Sequence, residues 1–327
     1  MTDETLAERA RDGDRRALAR LLTEVENRTA AGEAALKTLY PLAGRAHLVG
    51  VTGAPGSGKS TMVAALTGEA RKQGRPVAVI AIDPSSPITG GAILGDRIRM
   101  QIHATDDDVF IRSMASRGHS GGLAASTVAA AAVMDASGFG LIFIETVGTG
   151  QSEVEVAAIA DTTVVVQSPE MGDEVQAIKA GLLEVADIVV VNKADRPGAD
   201  RAAAQLRAML TVGASADRAA VAAGRPRPKR PEVMLSSALT GKGVPELLAA
   251  LDRRAPSPGS RLADDASLKR AEAQISGILA QRINARLHDP ARAAARAETL
   301  KAVAAHEIDP FTAADRLLAL LGNDSAG

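Results

Sequence analysis

Seven short apolar runs, HLVGVT (47–52), PVAVIAID (76–83), DVFIRS (108–113), GLIFIET (140–146), TTVVVQS (162–168), DIVVVNK (187–193) and EVMLSS (232–237), alternate with Ala-rich segments of helical spacing. Strands that are nearly continuous in apolar residues, and separated by helices, are satisfied by a mostly parallel sheet covered by helices on both faces. The expectation is an α/β domain over residues 46–256. Residues 1–45 differ, placing Leu6, Ala10, Ala17, Leu18, Leu21, Leu22, Val25, Leu36 and Leu39 at helical spacings with a break at Asp12-Gly13-Asp14. They predict an N-terminal helical segment. After the break APSPGS (255–260), residues 257–327 read as a helical arm. Leu268, Ile275, Leu279, Ile283 and Leu287 stripe one long helix, Pro290 opens another, and PFTAADRLLALLG forms a third. The stripe has two readings, packing on the domain or forming a dimer surface.

Composition removes several function classes. Of the 327 residues 46% are hydrophobic, yet there is no Trp, one Tyr and four Phe, so the core is aliphatic and base stacking is a poor candidate activity. A net charge of -1, from 38 basic and 39 acidic residues, gives no global field for nucleic acid or an anionic membrane. The absence of Cys excludes disulfides, thiolate metal sites and a cysteine nucleophile. The N-terminus is charged throughout, and no stretch approaches the roughly 20 apolar residues of a membrane span. The expectation is a soluble, cytoplasmic protein with no nucleic-acid or membrane partner.

The sharpest local signal follows the first run: HLVGVT leads into GAPGSGKS and then the helical pattern TMVAALTGEA. This is G-x-x-x-x-G-K-[ST] in the strand–loop–helix setting that the phosphate-binding loop requires. Gly53, Gly56 and Gly58 let the backbone N–H groups around Ser57 curl about a phosphate, and the helix opening at Lys59, Ser60 and Thr61 adds positive potential. Lys59 is placed to reach the β- and γ-phosphates and the Ser60 hydroxyl to coordinate Mg²⁺. Downstream, DIVVVNKAD delivers Asn192, Lys193 and Asp195 from a strand end. A carboxylate at Asp195 accepts from guanine N1–H and its exocyclic amino group, whereas adenine offers an acceptor at N1, so the pattern selects GTP/GDP over adenine nucleotides. Ser236-Ser237-Ala238-Leu239, ending the last run, brings the Ala238 N–H within reach of guanine O6. Asp83, at the end of the second run, and Asp96, beyond PSSPITGGAILG, are candidates to surround Mg²⁺, and Asp96 reads equally as the cap of helix DRIRMQI. In ETVGTGQ (145–151), Glu145 stands where a water-bridged Mg²⁺ partner belongs and the Gly148 N–H can meet a γ-phosphate.

Taken in order, GAPGSGKS, DPSSPITGGAILGDRIRM, FIRSMASRGHSGGL, ETVGTGQSE, PEMGDEVQAIKAG, NKAD and SSALTGKG closely resemble the GTPases associated with methylmalonyl-CoA mutase, the MeaB or ArgK type. These are related to the metallochaperone GTPases within the P-loop class. The resemblance covers nearly the whole chain. It implies a P-loop NTPase domain between an N-terminal helical segment and a C-terminal arm used for homodimerisation. It implies a chaperone for an adenosylcobalamin-dependent acyl-CoA mutase, with a cobalamin adenosyltransferase as a further candidate partner. Ser60, Asp83, Asp96 and Glu145 would surround Mg²⁺, residues 84–99 and 145–155 resemble two switches, and 168–179 a third. Two positions depart from the family pattern: Thr149, often valine there, and Ser113-Met114-Ala115, where others carry Pro-Ser-Pro.

A metal-delivery GTPase is the competing reading, but such proteins normally present Cys and His clusters, and His47, His103, His119, His288 and His306 are scattered. A small-molecule kinase is opposed by the guanine-selecting NKAD. Because no glutamine directly follows Gly148, nothing obvious positions the attacking water. The expectation is slow turnover by the isolated protein, Lys59, Glu145 and Gly148 doing the chemistry, and acceleration when a mutase brings Gln151 or Arg97 into play.

Overall fold

The computed structural model describes residues 5–83, 101–103, 105–115, 122–146, 156–169, 180–222, 230–257 and 265–322. Seven strands form one sheet: β1 (His47–Thr52), β2 (Val77–Asp83), β3 (Val109–Ala115), β4 (Leu141–Thr146), β5 (Thr162–Gln167), β6 (Ile188–Val191) and β7 (Glu232–Leu235). The order is β3-β2-β4-β1-β5-β6-β7, and each of these six neighbouring pairs is parallel. From β1 the chain crosses to one side of the sheet, and after β4 it returns to the other. The carboxyl end of β1 is therefore a point where the winding reverses, the usual place for a ligand crevice in an open α/β sheet.

Strand alternation sorts the side chains to two faces. On one, Val49, Val51, Val79, Phe143, Val164 and Val190 pack against α4 (Lys59–Lys72) and α8 (Val244–Asp252) through Met62, Leu66, Leu247 and Leu251. On the other, Ile80, Ile82, Ile142 and Ile144 meet α5 (Gly122–Ala136), while Val165, Val189 and Val191 meet α7 (Ala199–Ala222); a short α6 (Ala180–Val185) leads into β6. Gly50 on this face has no room for a side chain, because a Cβ would lie 2.7 Å from Val156 Cγ1 and 3.0 Å from the Ala160 methyl. The expected P-loop fold class, a parallel sheet with both faces covered, is what forms.

The N-terminal segment comprises α1 (Leu6–Arg11), α2 (Arg15–Asn27) and α3 (Ala30–Leu39), each opened by a side-chain cap from Thr5, Asp14 or Thr29. Asp12-Gly13-Asp14 separates the first two as expected. A second break, at Arg28 in the left-handed region (φ 54°) with Thr29 capping the next helix, went unread in the sequence. Leu18, Leu21, Leu22 and Val25 join the same apolar cluster as Ile80, Met134 and Ile142, so these helices cover the sheet, and Arg112 on β3 reaches Glu26 on α2 at 2.5 Å. The arm comprises α9 (Asp265–Leu287), a 3₁₀ turn (Pro290–Arg292), α10 (Ala293–Ala304) and α11 (Pro310–Gly322). Its stripe faces outward: Leu268, Ile275, Leu279 and Ile283 are all exposed, and so are Leu300, Phe311 and Leu318.

Candidate functional site

The loop after β1 is held in its curve by contacts only glycine permits. Gly53 has φ 136°, and a Cβ there would stand 2.1 Å from the Val166 carbonyl oxygen of neighbouring β5. Gly58 has φ 92°, and its Cβ would stand 2.4 Å from Asn192 Nδ2. Such φ values are strained for any residue with a side chain. No side chain caps the N-terminus of α4, so the first turn of a fourteen-residue helix points its N–H groups into the loop. The Lys59 ammonium, buried, donates to the carbonyls of Gly53 at 2.9 Å and Ala54 at 3.1 Å. Ser57 is buried in the curve and Thr61 half-buried.

Register places the acidic residues beside this loop. Glu145 on β4 pairs with Val51 on β1 and with Ala81 on β2, and Asp83 lies two residues beyond Ala81. Alternation then sets Glu145 and Asp83 on the α4 face, and both are buried. The Ser60 hydroxyl donates to Glu145 Oε1 at 2.6 Å. On the opposite side of the strand ends, Thr146 Oγ1 donates to Thr52 Oγ1 at 3.1 Å, locking β4 to β1 where both leave the sheet. A hydroxyl and two carboxylates form an all-oxygen donor set suited to a hard divalent cation. Burying both carboxylates near one ammonium is costly without such a charge. Among the described residues no three His, Asp or Glu side chains gather into a metal cage, which is compatible with Mg²⁺, an ion that retains waters and phosphate oxygens. The other sequence candidates here, Asp96 and Gly148, lie outside the described residues, as do Arg97, His119, Thr149 and Gln151.

The third and fourth parts come from the ends of β6 and β7. Asn192 is buried; its Nδ2 donates to the Ser57 carbonyl at 2.9 Å, and its Oδ1 accepts from the Ala238 N–H at 3.0 Å. One side chain thus spans from the phosphate loop to the loop that follows β7. Lys193 turns the chain at φ 57°, and the Ala194 N–H donates to the Ser236 carbonyl at 3.0 Å. The exposed Asp195 accepts from the Ser237 hydroxyl at 2.5 Å. That hydrogen bond, aided by the backbone, holds its carboxyl below the usual aspartate range, so it stays anionic at neutral pH. The Ser237 N–H and the Ser236 hydroxyl both donate to the Lys242 carbonyl, at 2.8 and 3.0 Å, and Leu239 projects into solvent beside them. Sequence reading missed Thr52, Thr146 and the turn Gly241-Lys242-Gly243. Gly241 and Gly243 have φ 81° and 77°, and the G-K-G spelling was the available signal.

The assembled arrangement is a loop of N–H groups over a buried lysine, flanked by a serine–glutamate pair and joined by Asn192 to the loop after β7, whose Ser237 holds an anionic carboxylate. The family described as methylmalonyl-CoA mutase-associated GTPase MeaB matches residues 18–294. The chain is 46% identical over 319 residues to a protein of Pyrococcus abyssi whose name proposes a GTPase, with 97% of this chain and 96% of the relative covered. It is 44% identical over 202 residues to the GTPase ArgK of Escherichia coli, covering 60% of this chain and 61% of that one. Among solved structures, one described as a LAO/AO transport system kinase superposes with a TM-score of 0.68 at 28% identity, covering 98% of this chain and 99% of the other. With that span and those identities, the chain belongs to the MeaB family of methylmalonyl-CoA mutase-associated GTPases.

Proposed function

We propose that this chain is a Mg²⁺-dependent GTP hydrolase that acts as a chaperone for an adenosylcobalamin-dependent acyl-CoA mutase, gating cofactor loading and protecting the mutase. The observation that carries the nucleotide part is the Asn192 bridge, at 2.9 Å to Ser57 and 3.0 Å to Ala238, because it ties the phosphate loop to the loop after β7, whose Ser237 hydroxyl donates to Asp195. Gly53, Gly56, Ser57, Gly58, Lys59, Ser60 and Thr61 would hold the phosphates. Asn192, Lys193, Asp195, Ser237, Ala238 and Leu239 would frame guanine. The client part rests on the family description alone.

In the reaction, a water oxygen bonds to the γ-phosphorus as the bond to the β,γ-bridging oxygen breaks. The water's protons pass to the released phosphate and to solvent. Lys59 and the α4 N-terminus stabilise charge that grows on the phosphate oxygens, an effect strongest where water is excluded. Ser60 Oγ, Asp83 and Glu145 would hold Mg²⁺, with Asp96 as the further candidate from the sequence; when bound it would neutralise charge on the phosphates. Turnover is slow alone and rises when the mutase engages the protein.

The outward stripe of α9 supplies the homodimer surface. Metal delivery draws no support: His47 meets Thr162 Oγ1 at 2.8 Å, His103 the Ala64 carbonyl at 2.9 Å and His288 the Asn284 carbonyl at 2.8 Å, each apart from the others. Competition of GTP, GDP and ATP for a fluorescent GDP analogue tests the nucleotide reading. Displacement by GTP and GDP with no displacement by equal ATP is expected, and equal displacement by ATP overturns it.

A further inference from the structure

Away from the nucleotide site, α2, α3, α5 and the arm helix α9 line an open-sided cavity of about 550 Å³. That volume lies within the range of small-molecule sites, roughly 300–1,000 Å³. Its floor is Val25, Leu36, Ala125 and Ala129, four apolar residues from three helices, with Ile278 of the arm as the far wall. Gly32 is the reason the floor exists at this depth. A Cβ there would lie 2.5 Å from the Glu24 carbonyl oxygen, so α3 approaches α2 as closely as backbones allow.

The mouth has a different character. Arg28, Lys37 and Arg282 stand around it against one carboxylate, Glu33. Arg28 is committed to the wall, donating to Ser126 Oγ at 2.9 Å. Arg282 and Glu33 approach at 3.4 Å as a pair more than half and nearly half exposed, a contact worth little in water. Lys37 makes no ion pair with any described residue. Tyr40 and Pro41 form the lip, and Tyr40 is 54% exposed.

We propose that this cavity binds a small amphipathic carboxylate of medium chain length, its alkyl part on the floor and its head group between Lys37 and Arg282. An apolar pocket with a few convergent polar groups at one end is the general form of such a site. The surplus of cations at the mouth selects an anion over a neutral or cationic molecule with the same tail. Occupancy would join Ile278 and Arg282 of the arm to α3 and α5, making the ligand a tie between the C-terminal arm and the sheet's helical cover. This inference does not depend on the nucleotide reading.

Tyr40 makes the site measurable, because it is the single tyrosine of a chain that has no tryptophan. The probe is decanoate below its micellar concentration, titrated into the full-length protein while tyrosine emission is recorded. Decyltrimethylammonium serves as the cation of matched tail. A saturable change with decanoate is expected, with a midpoint on the order of 10–100 µM from burial of the chain against the cost of association. Decyltrimethylammonium should give none at the same concentrations. The double variant Lys37→Glu with Arg282→Glu, both on exposed positions, should weaken decanoate at least tenfold, and Ala129→Phe should abolish the response by filling the floor. Circular dichroism and unchanged binding of the fluorescent GDP analogue establish that the variants remain folded. A non-saturating response, equal response to both surfactants, or an unaltered midpoint in the charge-reversed protein overturns the proposal. So does a Tyr40 signal that follows protein concentration and blocks decanoate, which would make a second copy the occupant.

Discussion

Truncating Asn192 to alanine removes the two short hydrogen bonds of one buried side chain, besides a long one of 3.5 Å to the Gly58 carbonyl, and the size of the effect follows from what the short ones leave behind. The Ser57 carbonyl loses a donor at 2.9 Å and the Ala238 N–H loses an acceptor at 3.0 Å. Leaving a buried polar group unsatisfied costs about 1–3 kcal/mol, and Ala238 is only partly buried, so the lower half of that range applies to it. The sum is about 2–5 kcal/mol, a large fraction of the roughly 5–15 kcal/mol that holds a domain of this kind together. Urea denaturation followed by far-ultraviolet circular dichroism should show this loss with an unchanged slope. Because the same side chain couples the phosphate loop to the base loop, affinity for GDP should fall by about 10–100-fold, equivalent to about 1.4–2.8 kcal/mol. Asn192→Asp sharpens the test. It keeps an acceptor for Ala238 but sets a carboxylate against the Ser57 carbonyl, so it should bind GDP no better than the alanine variant. Near-wild-type stability and GDP affinity in both variants would refute the bridge as the coupling element.

Further outcomes follow from other residues. Asp195→Asn should weaken GDP at least tenfold and improve xanthosine diphosphate, whose C2 oxygen accepts where guanine donates; a fluorescent-nucleotide competition reads both. Since the Ser237 hydroxyl depresses the Asp195 carboxyl, the charged form and its contribution to GDP binding persist above the ordinary aspartate value of about 3.9. They are lost only as pH falls through the lower folded value, so affinity from this group should be flat from pH 8 to pH 5; a midpoint near pH 6 traced to Asp195 would contradict it. Gly53→Ala places a methyl 2.1 Å from the Val166 carbonyl at φ 136° and should abolish GDP binding, as calorimetry would detect. Arg112→Ala removes the ion pair of the mostly buried Glu26 and should lower stability by about 1–2 kcal/mol without altering GDP affinity, measured by the same denaturation and competition assays.

The strands were legible because both-face burial leaves an unbroken apolar signature. DIVVVNK illustrates the limit of that signal: the strand ends at Val191, although the Asn192 N–H still donates to the Gln167 carbonyl at 2.8 Å, and Lys193 at φ 57° turns the chain away. GAPGSGKS announced the shape of its loop because only glycine tolerates φ 136° beside Val166, while NKAD was readable because a guanine edge would require a carboxylate. What stayed hidden is what depends on strand order. Nothing in the spelling says that β4 lies between β1 and β2, and it is this that brings Glu145 to Ser60 and Thr146 to Thr52. The break at Arg28 was hidden for a related reason. A non-glycine left-handed residue carries no compositional mark, whereas Asp12-Gly13-Asp14 does. The arm's stripe was visible as periodicity, but periodicity cannot say whether a face is covered, and Leu268, Ile275 and Leu279 prove exposed.

Single-turnover hydrolysis of GTP, measured with Mg²⁺ in the presence and absence of an adenosylcobalamin-dependent acyl-CoA mutase, bears most directly on the proposed function. Slow phosphate release by the protein alone and marked acceleration on adding the mutase are the predicted results. Fast release by the isolated chain, or a rate that the mutase leaves unchanged, would contradict the account.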